Sequence, residues 1–253
     1  MSAAATDELT SRLLDPDKNV RIAAVIALGE LADLQTLPSL LARLGTEPDF
    51  FVRDNLIWAI VRMGDAAVLP VIDLLGDADR SVRFHAAHAL SKLADPRAVE
   101  ALVRSLDDSD AEVAQKATYA LGRIHDVRSL PALVSRLGTR AGEAQSTLHD
   151  ALVEFGDEAV PMLMDRAAGA DAKTRVAIVE ILGNIGGPTV VPALADAMDD
   201  AEWEVRFAAV NALRGASGNA AHTALQRAAA DQHAHVRAIA ARLLSGGAAP
   251  QAR

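Results

Sequence analysis

The chain predicts an all-α solenoid of roughly eight two-helix repeats, each near 31 residues long. Three observations carry that expectation. A phrase of the form Val-Arg-x-x-Ala-x-x-Ala-Leu-Gly-x-Leu recurs eight times, beginning at Val20, Val52, Val82, Val113, Ala144, Thr174, Val205 and Val236. The successive intervals are 32, 30, 31, 31, 30, 31 and 31 residues. At such a period each unit buries its apolar face against its neighbours. Composition agrees: 51% of residues are hydrophobic but only 3% are aromatic. Ala and Leu dominate, and these side chains carry little helical penalty and allow close packing.

Each recurring phrase predicts the second helix of its repeat, helix B. With the motif Val as zero, positions 0, 4, 7, 8 and 11 form one apolar stripe, such as Val20, Ala24, Ala27, Leu28 and Leu31, or Val82, Ala86, Ala89, Leu90 and Leu93. That spacing is helical. An amphipathic segment before it, such as LPSLLARL or VPALADAM, predicts helix A. Pro38, Pro70, Pro131, Pro161 and Pro192 suit its first turn, where no internal donor is lost. Between the two helices an Asp stands three residues before the motif position in five repeats: Asp17, Asp49, Asp79, Asp110 and Asp171. There a carboxylate caps helix B. Gly29, Gly122 and Gly183 are expected to end helix B. The motif arginines (Arg21, Arg53, Arg83, Arg175, Arg206 and Arg237) read as an Arg–Asp ladder between neighbouring turns, because they recur regardless of place in the array.

The unbroken period predicts a single array over residues 1–246, followed by a disordered tail, 247–253. The sequence has no cysteine, which excludes disulfides and thiolate chemistry. The N-terminus lacks a basic stretch followed by an apolar core, and no apolar run reaches the roughly 18 residues of a membrane span. A cytoplasmic protein is expected. The net charge of -9 argues against broad nucleic-acid binding.

The phrase and its spacing resemble the HEAT-like repeats of the phycobilisome-lyase type, from about Asp7 to Leu244. The tetratricopeptide pattern and the ankyrin Thr-Pro-Leu-His phrase are missing. The resemblance implies a right-handed, armadillo-like superhelix with helix A outside and helix B lining the concave side. Function is then expected where the repeats differ on that inner surface.

Position 6 of helix B reads Ile26, Trp58, His88, Tyr119, Asp150, Glu180, Asn211 and Arg242. Phe84 and Phe207 stand at position 2, Phe51 at position -1, and His85 and Lys116 at position 3. Arg62, Lys92 and Arg123 form a basic row at position 10, where the helix dipole also favours cations. Five of the eight aromatic residues fall on this face. Aromatic rings beside Arg are typical of binding hot spots. The expected partner-binding residues are Phe51, Asp54, Trp58, Arg62, Phe84, His85, His88, Lys92, Lys116, Tyr119, Arg123, Asp150 and Glu180. Repeats two to four present aromatic and basic groups; repeats five to seven present Glu143, Asp150, Glu154, Glu180 and Glu204. Trp203 and Phe50, at position -2, are expected to cover an edge of the core.

The principal expectation is a non-enzymatic scaffold for a protein or peptide segment, with no cofactor. A bilin lyase or chaperone accessory is the alternative that the resemblance suggests, and a HEAT-like DNA glycosylase is a lesser one. His85 and His88 with Asp54 and Asp150 have donor types that suit zinc or iron. Lys116 and the basic row crowd the same region with positive charge, so no metal is expected. The His-Glu pairs of HEAT-repeat deoxyhypusine hydroxylases are missing from the sequence.

Overall fold

A computed structural model of the chain describes residues 3–139, 142–214, 216 and 218–245. The expected tail, 247–253, lies outside the described residues. Among them are sixteen α-helices, which pair into eight A–B repeats. The pairs are α1 (Ala3–Ser11) with α2 (Lys18–Leu31), α3 (Leu37–Thr46) with α4 (Phe50–Arg62), α5 (Asp65–Asp73) with α6 (Arg80–Leu93), and α7 (Val99–Ser105) with α8 (Ala111–Ile124). They continue as α9 (Leu130–Ser135) with α10 (Glu143–Glu154), α11 (Val160–Ala167) with α12 (Ala172–Ile185), α13 (Val191–Asp196) with α14 (Trp203–Ala212), and α15 (Asn219–Ala228) with α16 (Ala234–Leu244). The chain divides into two compact units, Met1–Ser129 and Leu130–Arg253. Within each unit every B helix packs on its own A helix and on the B helix of the next repeat.

The five expected caps are all made. The Asp17, Asp79 and Asp171 carboxylates each accept one amide of the first helical turn, and those of Asp49 and Asp110 each accept two. Glu202 and His233, which replace Asp at the same position, make no side-chain cap. A side chain of one methylene brings an oxygen back to the amides two and three residues on, which explains the preference for Asp.

Position 8 of helix B forms the buried spine in both units: Leu28, Ile60, Leu90 and Leu121 in the first, Leu152, Leu182 and Leu213 in the second. The stripe is wider than its sequence pattern suggests. Val25, Ile57, Ala87, Val179 and Val210, at position 5, are also buried. Helix B is flanked by other B helices as well as by its A helix, so more of its circumference is covered. Leu31, expected in the stripe, is instead 37% exposed.

Two local expectations are corrected. Pro70 lies inside α5 rather than in its first turn, because the segment that leads into helix A as a separate 3-10 turn in four other repeats is here part of the α-helix. Gly29, Gly122 and Gly183 do not end their helices, which run on for two more residues. The terminating left-handed positions are taken by Ala32, Ala94 and His125. Gly29 and Gly183 serve close approach instead. A Cβ at Gly29 would fall on the Trp58 ring, and one at Gly183 would meet Ala212 Cβ at 2.7 Å.

The arginine ladder is present and built from two parts. Each motif Arg ties down its own A–B turn through terminal-nitrogen bonds to backbone carbonyls, as Arg83 does to Asp77 and Ala78. Four of them also grip an acid of the next turn through Nε and a second nitrogen at 2.7–3.0 Å: Arg21–Glu47, Arg83–Asp108, Arg175–Asp200 and Arg206–Asp231. These acids stand 25 or 26 residues beyond the arginine. Among the described residues Arg53 and Arg237 make no such second grip; the acid in the matching register for Arg53, Asp77, comes 24 residues on. The Arg53 Nε is buried without a partner.

Candidate functional site

In unit 1 the expected column stands on α4, α6 and α8. Trp58 is 40% exposed and Tyr119 46% exposed, so both rings are half-covered and half-presented. Trp58 is fixed from two sides. Its indole lies against the bare Gly29 backbone of α2. Arg62 donates from Nε to the Gly29 carbonyl at 2.8 Å and holds its guanidinium 5.4 Å from the indole. The arginine that sequence reasoning placed in the basic row is thus also a strut for the tryptophan.

Lys116 sits between two rings, with Nζ 5.2 Å from the centroid of Phe84 and 5.2 Å from that of Tyr119. Burial, then the charge on Lys92, lowers its pKa. Such a cation–π arrangement holds an ammonium on an aromatic surface where hydration is incomplete. Lys92 and Arg123 are exposed in the last turns of α6 and α8. Phe51 is 63% exposed, packed edge-on against Phe50 with Lys18 Nζ 5.8 Å from its ring.

His85 and His88 are half-buried on α6. His85 Nδ1 lies 2.5 Å from the Ser81 carbonyl, and its ring packs edge-on against Phe84. Burial is the first cause that lowers its pKa, against the Ser81 bond, which raises it. Burial, then Lys116 and Lys92, brings His88 down to about 4, and Asp54 only partly counters this. Both imidazoles are therefore neutral near pH 7. Among the described residues no group of three His, Asp or Glu side chains is placed to hold a metal ion. A cavity of about 260 Å³ opens between α4 and α6, lined by Phe50, Arg53, Asp54, Ile57, Phe84, His85 and His88, among others. Phe50, expected at a core edge, is 66% exposed and belongs to this cavity.

In unit 2, taken by itself, the B helices present acidic residues. Asp150, Glu154, Glu180 and Glu204 are exposed; the Glu143 side chain lies outside the described residues. A cavity of about 670 Å³ lies along α12 and α14, with His149 of α10, Glu180, Asn184, Trp203, Glu204, Phe207, Asn211 and Arg214 among its lining. Trp203 does more than cover a core edge. Its indole stacks on His233 at 3.9 Å and 16° and meets Phe207 at 6.1 Å in a T-shape. Sequence reasoning missed its place in this cavity because the stacking partner is a residue of the next repeat. The one available signal was that His233 replaces the capping Asp in the eighth repeat.

No described helix is long and apolar enough to cross a membrane. A search of the curated proteins finds no match. Among solved structures, human deoxyhypusine hydroxylase is 23% identical over 96% of each chain with a TM-score of 0.42. The CpcE–CpcF phycocyanin lyase of Nostoc sp. PCC7120 is 22% identical over 96% of this chain and 94% of that chain, with a TM-score of 0.46. A chain from the Kap95p–RanGDP complex is 14% identical, covers 96% of this chain and 40% of its own, and has a TM-score of 0.56, a likeness of fold. The family model described as HEAT repeats matches residues 6–73, 52–122, 68–153 and 160–245. With paired helices throughout and that model matching nearly end to end, the chain belongs to the HEAT-repeat family.

Proposed function

We propose that the chain is a non-enzymatic scaffold that captures an acidic segment of a protein partner on the B-helix face of unit 1, the layer expected to be concave. The observation that carries this reading is the preorganised aromatic surface of Trp58, Phe84 and Tyr119 interleaved with Arg62 and Lys116. Aromatic rings that are half-exposed and already locked lose little conformational freedom on binding, the circumstance in which hot-spot residues contribute most. The neighbouring cations, Lys92 and Arg123 included, favour carboxylates on the incoming segment.

The test is affinity capture from the native lysate with the wild-type chain and the Trp58→Ala/Tyr119→Ala double variant. The double variant is expected to lose its captured partner by at least about tenfold while keeping its helical circular-dichroism spectrum, since removal of a hot-spot side chain costs about 2 kcal/mol or more. Capture undiminished in the folded double variant rules the face out. A captured partner without acidic residues in the bound segment rules out the charge assignment.

A further inference from the structure

The unit 2 cavity has walls of a different kind. Trp203 and Phe207 supply two rings, and Glu180 and Glu204 supply carboxylates at the same opening. The indole is held in place by its stack on His233 at 3.9 Å, so one of its faces is covered and the ring does not need to be ordered by a ligand. Among the described residues neither Glu180 nor Glu204 has an ion-pair or hydrogen-bond partner for its carboxylate. This contrasts with the nearby Asp200 and Asp231, which are occupied by Arg175 and Arg206. The cation in the lining, Arg214, lies beyond the C-terminal end of α14, whereas Glu204 stands in its first turn. It bonds to Asn211 instead, at 3.5 Å.

We propose that this cavity receives a lysine or arginine side chain of a partner protein, with its cation against the Trp203 and Phe207 rings and between the carboxylates of Glu180 and Glu204. The fit is one of charge and surface together. A long basic side chain has an apolar stem that suits the rings and a cationic head that is attracted to the ring faces and to unpaired carboxylates. An acidic side chain meets repulsion there, and an uncharged one gains no attraction from the carboxylates. The volume of about 670 Å³ admits the full side chain together with neighbouring backbone. The site shares no residue with the unit 1 face, so the Trp58 and Tyr119 substitutions leave it intact and the two readings fail separately.

The experiment uses the full chain carrying Trp58→Phe, which leaves Trp203 as the single indole of the chain's two. Its fluorescence is titrated with three capped pentapeptides that differ only in a central lysine, arginine or norleucine. A saturable change is expected with lysine or arginine, at least tenfold tighter than with norleucine, and weakened by added salt. Glu180→Gln/Glu204→Gln should reduce the affinity for the basic peptide at least tenfold with an unchanged melting temperature. The single Glu204→Gln variant serves as a second test should the double variant fold poorly. Equal binding of the basic and norleucine peptides, binding by neither basic peptide, or full affinity in the folded Gln variants overturns the proposal.

Discussion

His88 is an imidazole between lysines on a half-buried helix face, and its environment has a consequence for stability. Burial, then Lys116 and Lys92, brings its folded pKa to about 4, from an ordinary value of 6.5. The unfolded chain therefore takes up this proton first as pH falls, and the folded chain resists it until near pH 4. Above pH 6.5 the group contributes nothing to the pH dependence; between 6.5 and about 4 stability declines as pH is lowered. The ladder carboxylates Asp108 and Asp231 have folded pKa values below 3.8, held there first by their arginines, so their contribution is lost in a more acidic window. His85, also lowered first by burial, acts in the same direction as His88. The expected outcome is a melting temperature that falls from pH 7 to pH 4.5, with His88→Gln flattening part of that fall. A variant with the wild-type slope refutes the assignment.

At the scale of elements, the arginine rungs bind neighbouring repeats at their turns. Glu47 is the most enclosed of their acids, with no side-chain exposure. Burial pushes its carboxyl up, but bonds from Arg21, the Asp49 amide and Arg43 outweigh this and hold it below the usual carboxylate range. Glu47→Ala leaves the Arg21 guanidinium, itself only 8% exposed, without its counter-charge. That substitution is expected to destabilise the chain by about 3–5 kcal/mol. Asp65→Ala, which removes the solvent-exposed partner of Arg97, should shift the denaturant midpoint far less. Comparable denaturant midpoints for the two variants contradict this account. The caps and the ladder's existence were legible in the sequence for different reasons. Asp110 caps amides two and three residues away, so its signature is local. Arg83 finds Asp108 across 25 residues, and recurrence of the arginine announced a ladder without showing which acid closes each rung. The place of Trp203 in its cavity was not legible, because stacking on His233 is fixed by how α14 and α16 pack, not by any helical period. Gly29 misled for a related reason: its value lies in the Trp58 ring that crosses it from α4, while the helix itself runs on to Leu31.

For the whole molecule, repetition means that stability is a sum of repeat and nearest-neighbour terms, with no single core that all residues share. The two compact units each carry one of the chain's two tryptophans, Trp58 in the first and Trp203 in the second. Each tryptophan is therefore a reporter of its own unit. Leu56 and Leu182 are both fully enclosed, at 0% and 1% exposure. Truncation of either to Ala should cost about 2–5 kcal/mol locally, through lost burial and the cavity left behind. In a Trp203→Phe background, Leu56→Ala is expected to lower the denaturant midpoint reported by Trp58 by more than Leu182→Ala does. In a Trp58→Phe background the order should reverse for Trp203. Equal shifts of both reporters by either truncation would mean that the repeats unfold as one cooperative body, and that nearest-neighbour terms in this array are strong enough to erase the division into two units.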